Sequence, residues 1–180
     1  VTDQWQQVSF SGGKSFFNAV VVATPAGMAE GDATFIQIKD ITSTGFTIRL
    51  KDAPGGSGAA HAAETVHYLA ADHGLFTLDN GTRVITGKLN TTAQTRAGRK
   101  EKVSFGLPKA VKLTSNPVVF ASLTSANEPD APATLRVDKP GKTGFSIVVQ
   151  EEEAEEKNNP GHGAEQFCYI AFEPFMGIVG

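Results

Sequence analysis

Val8-Ser9-Phe10 returns as Val103-Ser104-Phe105, and Thr44-Gly45-Phe46 returns as Thr143-Gly144-Phe145. Around these tripeptides the rest of the chain repeats in order. An apolar run follows each Val-Ser-Phe, FNAVVVA ending at Ala23 and SNPVVFA ending at Ala121. Another strand leads into each Thr-Gly-Phe. Each copy then closes on His-x-x-Glu and Tyr-apolar-Ala, in HAAETVHYLA from His61 and HGAEQFCYIA from His162. The offset is 95 from Val8 to Val103, 99 from Gly45 to Gly144 and 101 from Glu64 to Glu165. Four blocks in one order at nearly one spacing mean a tandem duplication.

The repeated blocks read as strands. In TFIQIKDI, Phe35, Gln37 and Lys39 oppose Ile36, Ile38 and Asp40. In GFTIRL, Phe46, Ile48 and Leu50 share a face against Thr47 and Arg49. Period-two runs between Gly, Pro and Asn clusters are strand signals, and no window carries a helical stripe. The expected fold is all-β, two tandem antiparallel β-sandwich domains of about six strands each. Repeat one should use strands near 5–11, 18–24, 33–40, 45–51 and 64–71, then a terminal hairpin FTLDNGTRVIT turning at Asp79-Asn80-Gly81. This places the first sandwich at 1–87, a polar linker at 88–100 (KLNTTAQTRAGRK) and the second sandwich at 101–180. Repeat two reaches Gly180 where its own hairpin would begin, so the chain is expected to end at a repeat boundary of a longer parent. The corresponding loops APGGSGAA (53–60) and EEEAEEKNNPG (151–161) differ in length and composition, as exposed loops do.

Composition narrows the function classes. The 180 residues carry 16 basic and 19 acidic side chains, a net charge of −3, with no basic stripe for nucleic acid and no amphipathic basic segment for a membrane surface. No apolar run approaches the roughly 20 residues of a spanning helix, so membrane insertion is not expected. The chain begins at Val1 without Met, which fits a mature or excised fragment. Cys168 is the single cysteine; an internal disulfide is impossible, and its apolar strand reads as a buried site.

No Gly-x-Ser-x-Gly elbow, Walker loop, dinucleotide fingerprint or His-Glu-x-x-His motif is present, and no enzymatic activity is expected. The best constellation is the repeated His-x-x-Glu. His61 and His162 precede a strand on which Glu64, Val66, Tyr68 and Ala70, or Glu165, Phe167, Tyr169 and Ala171, share one face. Asp52 and Glu151 recur after the preceding strand, so Asp, His and Glu can converge at one end of each sandwich. Three readings stay open. His pins a loop through Glu while Tyr packs in the core; the set binds sugar hydroxyls and rings; or Asp52 and Glu151 join His and Glu around a cation such as calcium. Gln37 and Arg136 also match across the repeats as directional donors on alternating strands. Trp5 is the single Trp and either stacks on a sugar or caps the sandwich edge.

The order VSF at 103–105, NPVVFASL at 116–123, LRV at 135–137, TGF at 143–145 and CYIAFE at 168–173 resembles the H-type lectin domain known from snail agglutinins. The His-x-x-Glu-x-x-x-Tyr block looks like a version of that module found in large secreted bacterial proteins. Repeat one matches less fully, with Ala19 where Pro117 stands and Gln37 where Arg136 stands. The resemblance implies an antiparallel sandwich that binds sugar, often N-acetylgalactosamine, commonly as a homo-trimer with sites between protomers. It would make Arg136 the carried-over binding residue and Gln37 its counterpart. The expectation is a non-catalytic carbohydrate-binding tandem module of a larger extracellular or cell-surface protein. It would take a glycan or polysaccharide through Arg136, His162, Glu165, Tyr169, Gln37, His61, Glu64 and Tyr68, with no cofactor beyond a possible calcium. The alternatives are a structural spacer or assembly module, and a polysaccharide-active enzyme built on paired carboxylates.

Overall fold

The computed structural model describes residues 1–27, 34–53, 61–93, 99–107, 109–127, 133–151 and 163–174. Its described elements are strands, with one short 3-10 turn at Ser11–Gly13. In chain order they are β1 (Gln6–Ser9), β2 (Ala19–Pro25), β3 (Thr34–Lys39), β4 (Gly45–Asp52), β5 (Val66–Asp72), β6 (Gly74–Thr77) and β7 (Arg83–Thr91). Then follow β8 (Glu101–Ser104), β9 (Gly106–Leu107), β10 (Lys109–Ala110), β11 (Val118–Leu123), β12 (Ala133–Gly141), β13 (Gly144–Glu151) and β14 (Glu165–Phe172). The all-β class expected from the alternating runs is the class observed. Four larger antiparallel sheets run β1-β4-β3, β2-β5, β11-β14-β7-β6 and β12-β13-β8, beside the small β9-β10 ribbon.

The two repeated tripeptides are the two sides of one closure. Val8 lies opposite Phe46 and Ser9 opposite Gly45, and the Phe10 N–H donates to the Thr44 carbonyl at 2.9 Å. In the second half Val103 faces Phe145, Ser104 faces Gly144, and the Phe105 N–H donates to the Thr143 carbonyl at 2.9 Å. Glycine is required at the centre for space. A Cβ on Gly45 would sit 2.2 Å from the Val8 carbonyl oxygen, and one on Gly144 would sit 2.0 Å from that of Val103. The closure brings Phe10, Phe46 and Tyr68 together in the first half and Phe105, Phe145 and Tyr169 in the second. Tyr68 meets Phe46 edge-on at 5.0 Å and 72°, and Tyr169 meets Phe145 at 5.0 Å and 75°.

The sheets stack in four layers. One apolar cluster, including Ala19, Val21, Ile38, Phe46 and Ile48, fills the space between β1-β4-β3 and β2-β5. A second, including Val103, Phe105, Phe145, Ile147, Phe167 and Tyr169, fills the space between β12-β13-β8 and the β11-β14-β7-β6 sheet. A third joins the halves: Val20 and Val22 of β2 pack on Cys168 and Ile170 of β14 and Val84 of β7. β2 and β14 are thus covered on both faces, which explains why Ala19–Val22 and Phe167–Ala171 lack polar alternation. The Ser122 hydroxyl clips the halves further. It accepts from the Ala23 N–H at 3.0 Å and reaches the Ala23 carbonyl at 3.2 Å.

The structure corrects the expected division of the chain. The hairpin after repeat one does form, turning at Gly81 with φ of 81° and with the Leu78 N–H on the Thr82 carbonyl at 2.9 Å. It serves the other half. β7 pairs along β14, from Thr91 on Glu165 through Gly87 on Tyr169 to Val84 on Phe172. Ile85 is buried in the second sandwich's cluster. The expected boundary at 87/88 therefore falls inside a strand, and residues 88–91 of the expected linker are sheet. Repeat length marks the period of the sequence, but pairing decides which core a strand completes.

Ile85→Ala should lower the unfolding free energy by about 2–5 kcal/mol, as buried large-to-small changes do, while Phe17→Ala at a fully exposed position should stay within about 0.5 kcal/mol. Urea unfolding compares the two. Burial pushes the Tyr169 hydroxyl up to about 12, above the value near 10 of an unfolded tyrosine. The folded state then holds this proton more tightly. Its contribution to stability is complete below about pH 10 and is lost as pH rises toward about 12. Tyr169→Phe should flatten stability against pH across that window.

Candidate functional site

The end of β4 and the loop before β5 bring Asp52, His61 and Glu64 together, as their spacing suggested. The His61 ring is wholly buried, with Nδ1 2.7 Å from Asp52 Oδ1 and Nε2 3.3 Å from Glu64 Oε1. The carboxylates sit on opposite ring nitrogens, so the imidazole bridges them instead of leaving a shared point between three ligands. Among the described residues no group of three or more His, Cys, Asp or Glu side chains is arranged to hold a metal ion. The backbone tightens the same corner. The Glu64 N–H donates to the Val1 carbonyl at 2.9 Å, and the Val1 ammonium donates to the Glu64 carbonyl at 2.7 Å.

The second half holds its glutamate by other means. Glu165 is buried and accepts the Ser125 hydroxyl and, at 3.2 Å, the Asn127 N–H. Ser125 in turn accepts the Gln166 N–H at 2.6 Å. The rung from Thr124 to Gln166 matches the rung from Ala26 to Thr65, so Gly27 stands where Ser125 does. A Cβ on Gly27 would come 3.6 Å from Glu64 Oε2, in the space where a side chain would reach the carboxylate. Repeat one lacks that hydroxyl and uses His61. His162 lies outside the described residues, as does the side chain of Glu151.

The remaining candidates lie elsewhere. Tyr68 and Tyr169 face their sandwich interiors and pack on Phe46 and Phe145, Tyr169 buried and Tyr68 half-buried beside a groove. Their strands' alternation already put them with Val66, Ala70, Phe167 and Ala171. His67 is exposed on the opposite face of β5, and Cys168, in the register place of His67, is buried between the halves with its thiol pushed up by burial. Gln37 projects from the outer face of β3. It is 7% exposed and accepts from Arg49 Nε across the β3–β4 ladder at 2.7 Å. Arg49 also lies over the Trp5 ring, 4.5 Å from its centroid, and Lys39 Nζ lies 4.4 Å from it. Arg49 was not singled out from the sequence. Its signal was its period-two place opposite Gln37, readable only with the hairpin register. Arg136 is exposed on the outer face of β12, opposite Val148. Among the described residues, each repeat's candidates are thus divided between a buried glutamate clasp, a sandwich interior and an outer sheet face.

Among curated proteins the chain is similar to halomucin of Haloquadratum walsbyi (strain DSM 16790 / HBSQ001), with 27% identity over 174 residues. The match covers 93% of this chain and 2% of halomucin, so the chain corresponds to a small segment of that protein. No protein-family model matches the chain. No solved structure matches it.

Removing the ring between Asp52 and Glu64 leaves two carboxylates facing a cavity. His61→Ala should therefore cost about 1–3 kcal/mol, the penalty of stranded buried polar groups. Arg136→Ala should stay within about 0.5 kcal/mol. Urea unfolding of the two variants ranks them; a neutral His61→Ala would remove the clasp.

Proposed function

We propose that this chain is a non-catalytic structural module of a longer extracellular protein, built to be strung in tandem. The observation that carries the reading is the fate of the repeated His-x-x-Glu-x-x-x-Tyr block. Its described members are engaged inside the protein: His61 between carboxylates, Glu165 under Ser125 and Asn127, and both tyrosines in aromatic clusters. A third apolar interior fixes one half against the other, as a load-transmitting spacer needs. The similarity to a 2% segment of halomucin supports a place within a much longer protein. Kinship with H-type lectin domains belongs to the same proposal. The two-sheet sandwich and its Val-Ser-Phe/Thr-Gly-Phe closure support it.

Glycan binding is the second reading, narrowed to the outer sheet faces. The exposed Arg136 on one and the Gln37–Arg49–Trp5 group on the other favour it. A glycan array and a polysaccharide pull-down, with and without calcium, separate the two. The structural reading expects no retention and no release of reducing ends from the polymer. Retention abolished by Arg136→Ala or Trp5→Ala, with folding intact, would replace it by the lectin reading.

A further inference from the structure

β14 is a central strand, paired with β11 on one side and β7 on the other. Its counterpart β5 pairs with β2, and no other described strand lies on its second edge. The orientation of that edge follows from the neighbouring bonds. Ala23, opposite Tyr68, turns its N–H and carbonyl away from β5 to Ser122. Tyr68, and with it Val66 and Ala70, therefore directs its own N–H and carbonyl to the open side. The equivalent residues Phe167, Tyr169 and Ala171 lie opposite Leu89, Gly87 and Ile85 of β7.

Beside the open edge is a groove of about 430 Å³ lined by Phe10, Phe16, Val66, Tyr68 and Ala70, among others. Phe105, Leu113, Phe167, Tyr169 and Ala171 are their counterparts in the second half, and there they form one cluster with the buried Ile85. The groove is the place of an Ile85 that repeat one does not receive from the described residues. The entry point is marked as well. Val1 exchanges both backbone bonds with Glu64, the register place that Thr91 holds on Glu165. A strand running back from that place would follow β5 antiparallel, as β7 follows β14.

We propose that the free edge of β5, with its groove, is an acceptor site for a β7-type strand from a neighbouring repeat of the same kind. The occupant brings an isoleucine opposite Ala70 and a glycine opposite Tyr68. Glycine is needed because a Cβ at Gly87 would lie 2.2 Å from the Tyr169 ring. The main-chain ladder supplies affinity, and the Ile and Gly positions supply specificity. Each unit would complete the next by its own hairpin. This deepens the tandem reading but stands on the edge, the groove and the internal symmetry alone, so glycan binding on the outer faces would leave it untouched.

The test appends a copy of residues 74–90 directly ahead of Val1 in the full chain, which sets the register without a linker. Amide hydrogen exchange at Val66, Tyr68 and Ala70 should slow by about tenfold or more, and the same extension carrying Gly87→Val in the copied segment should give no such protection. Exchange at Phe167, Tyr169 and Ala171 reports in every sample that the second sandwich is folded. Unchanged exchange at the β5 amides, or equal protection by the Gly87→Val copy, would overturn the proposal.

Discussion

Strand β7 carries Ile85 into the aromatic cluster of the second sandwich and, at Gly87, leaves the room in which the Tyr169 ring lies. Without that ladder β14 would be an edge strand, and the cluster around Phe105, Phe167 and Tyr169 would open to water as the groove beside Tyr68 does. The two halves differ by this strand more than by any side chain. Tyr169 is 3% exposed and Tyr68 is half-buried, although each has the same edge-on contact with its phenylalanine. One strand separates a closed sandwich from one with a side open.

The rest of the architecture follows from two recurring devices. The Gly45 and Gly144 positions let one strand's backbone pass against the next, and this sets the register that gathers each aromatic trio. The double-faced strands β2 and β14 then glue the sandwiches together through Val20, Val22, Cys168 and Ile170. Burial of this kind is non-directional and cannot fix a register alone. The Ser122–Ala23 pair adds a directional contact at the same seam. A molecule stacked in four layers with covered inner sheets suits a rigid bead in a long string.

Much of the fold is legible in the residues, and the illegible parts have physical reasons. Strand positions, the inward faces of Phe46, Ile48 and Leu50, and the Asn80-Gly81 turn come from local pattern, and local pattern survives in the fold. The allegiance of β7 does not, because its partner residues on β14 lie 74 to 88 positions away, from Thr91 on Glu165 to Val84 on Phe172, and either core could bury Ile85. At the candidate site, Asp52, His61 and Glu64 were readable because one strand end and one short loop bring them together. The Gln37–Arg49 pair depends on cross-strand register, which composition does not encode. Of the readings open for the tyrosines, core packing is the one their alternation with Val66 and Phe167 pointed to, and both rings pack on the phenylalanine of their Thr-Gly-Phe.

The central claim is that residues 74–91 belong physically to the second sandwich. Its most direct test compares two fragments, 74–180 and 93–180, by urea unfolding and by amide exchange along β14. The account predicts cooperative unfolding and protected Phe167, Tyr169 and Ala171 amides in the longer fragment, with both lost in the shorter. A 93–180 fragment that folds with the same midpoint and the same protection would contradict it.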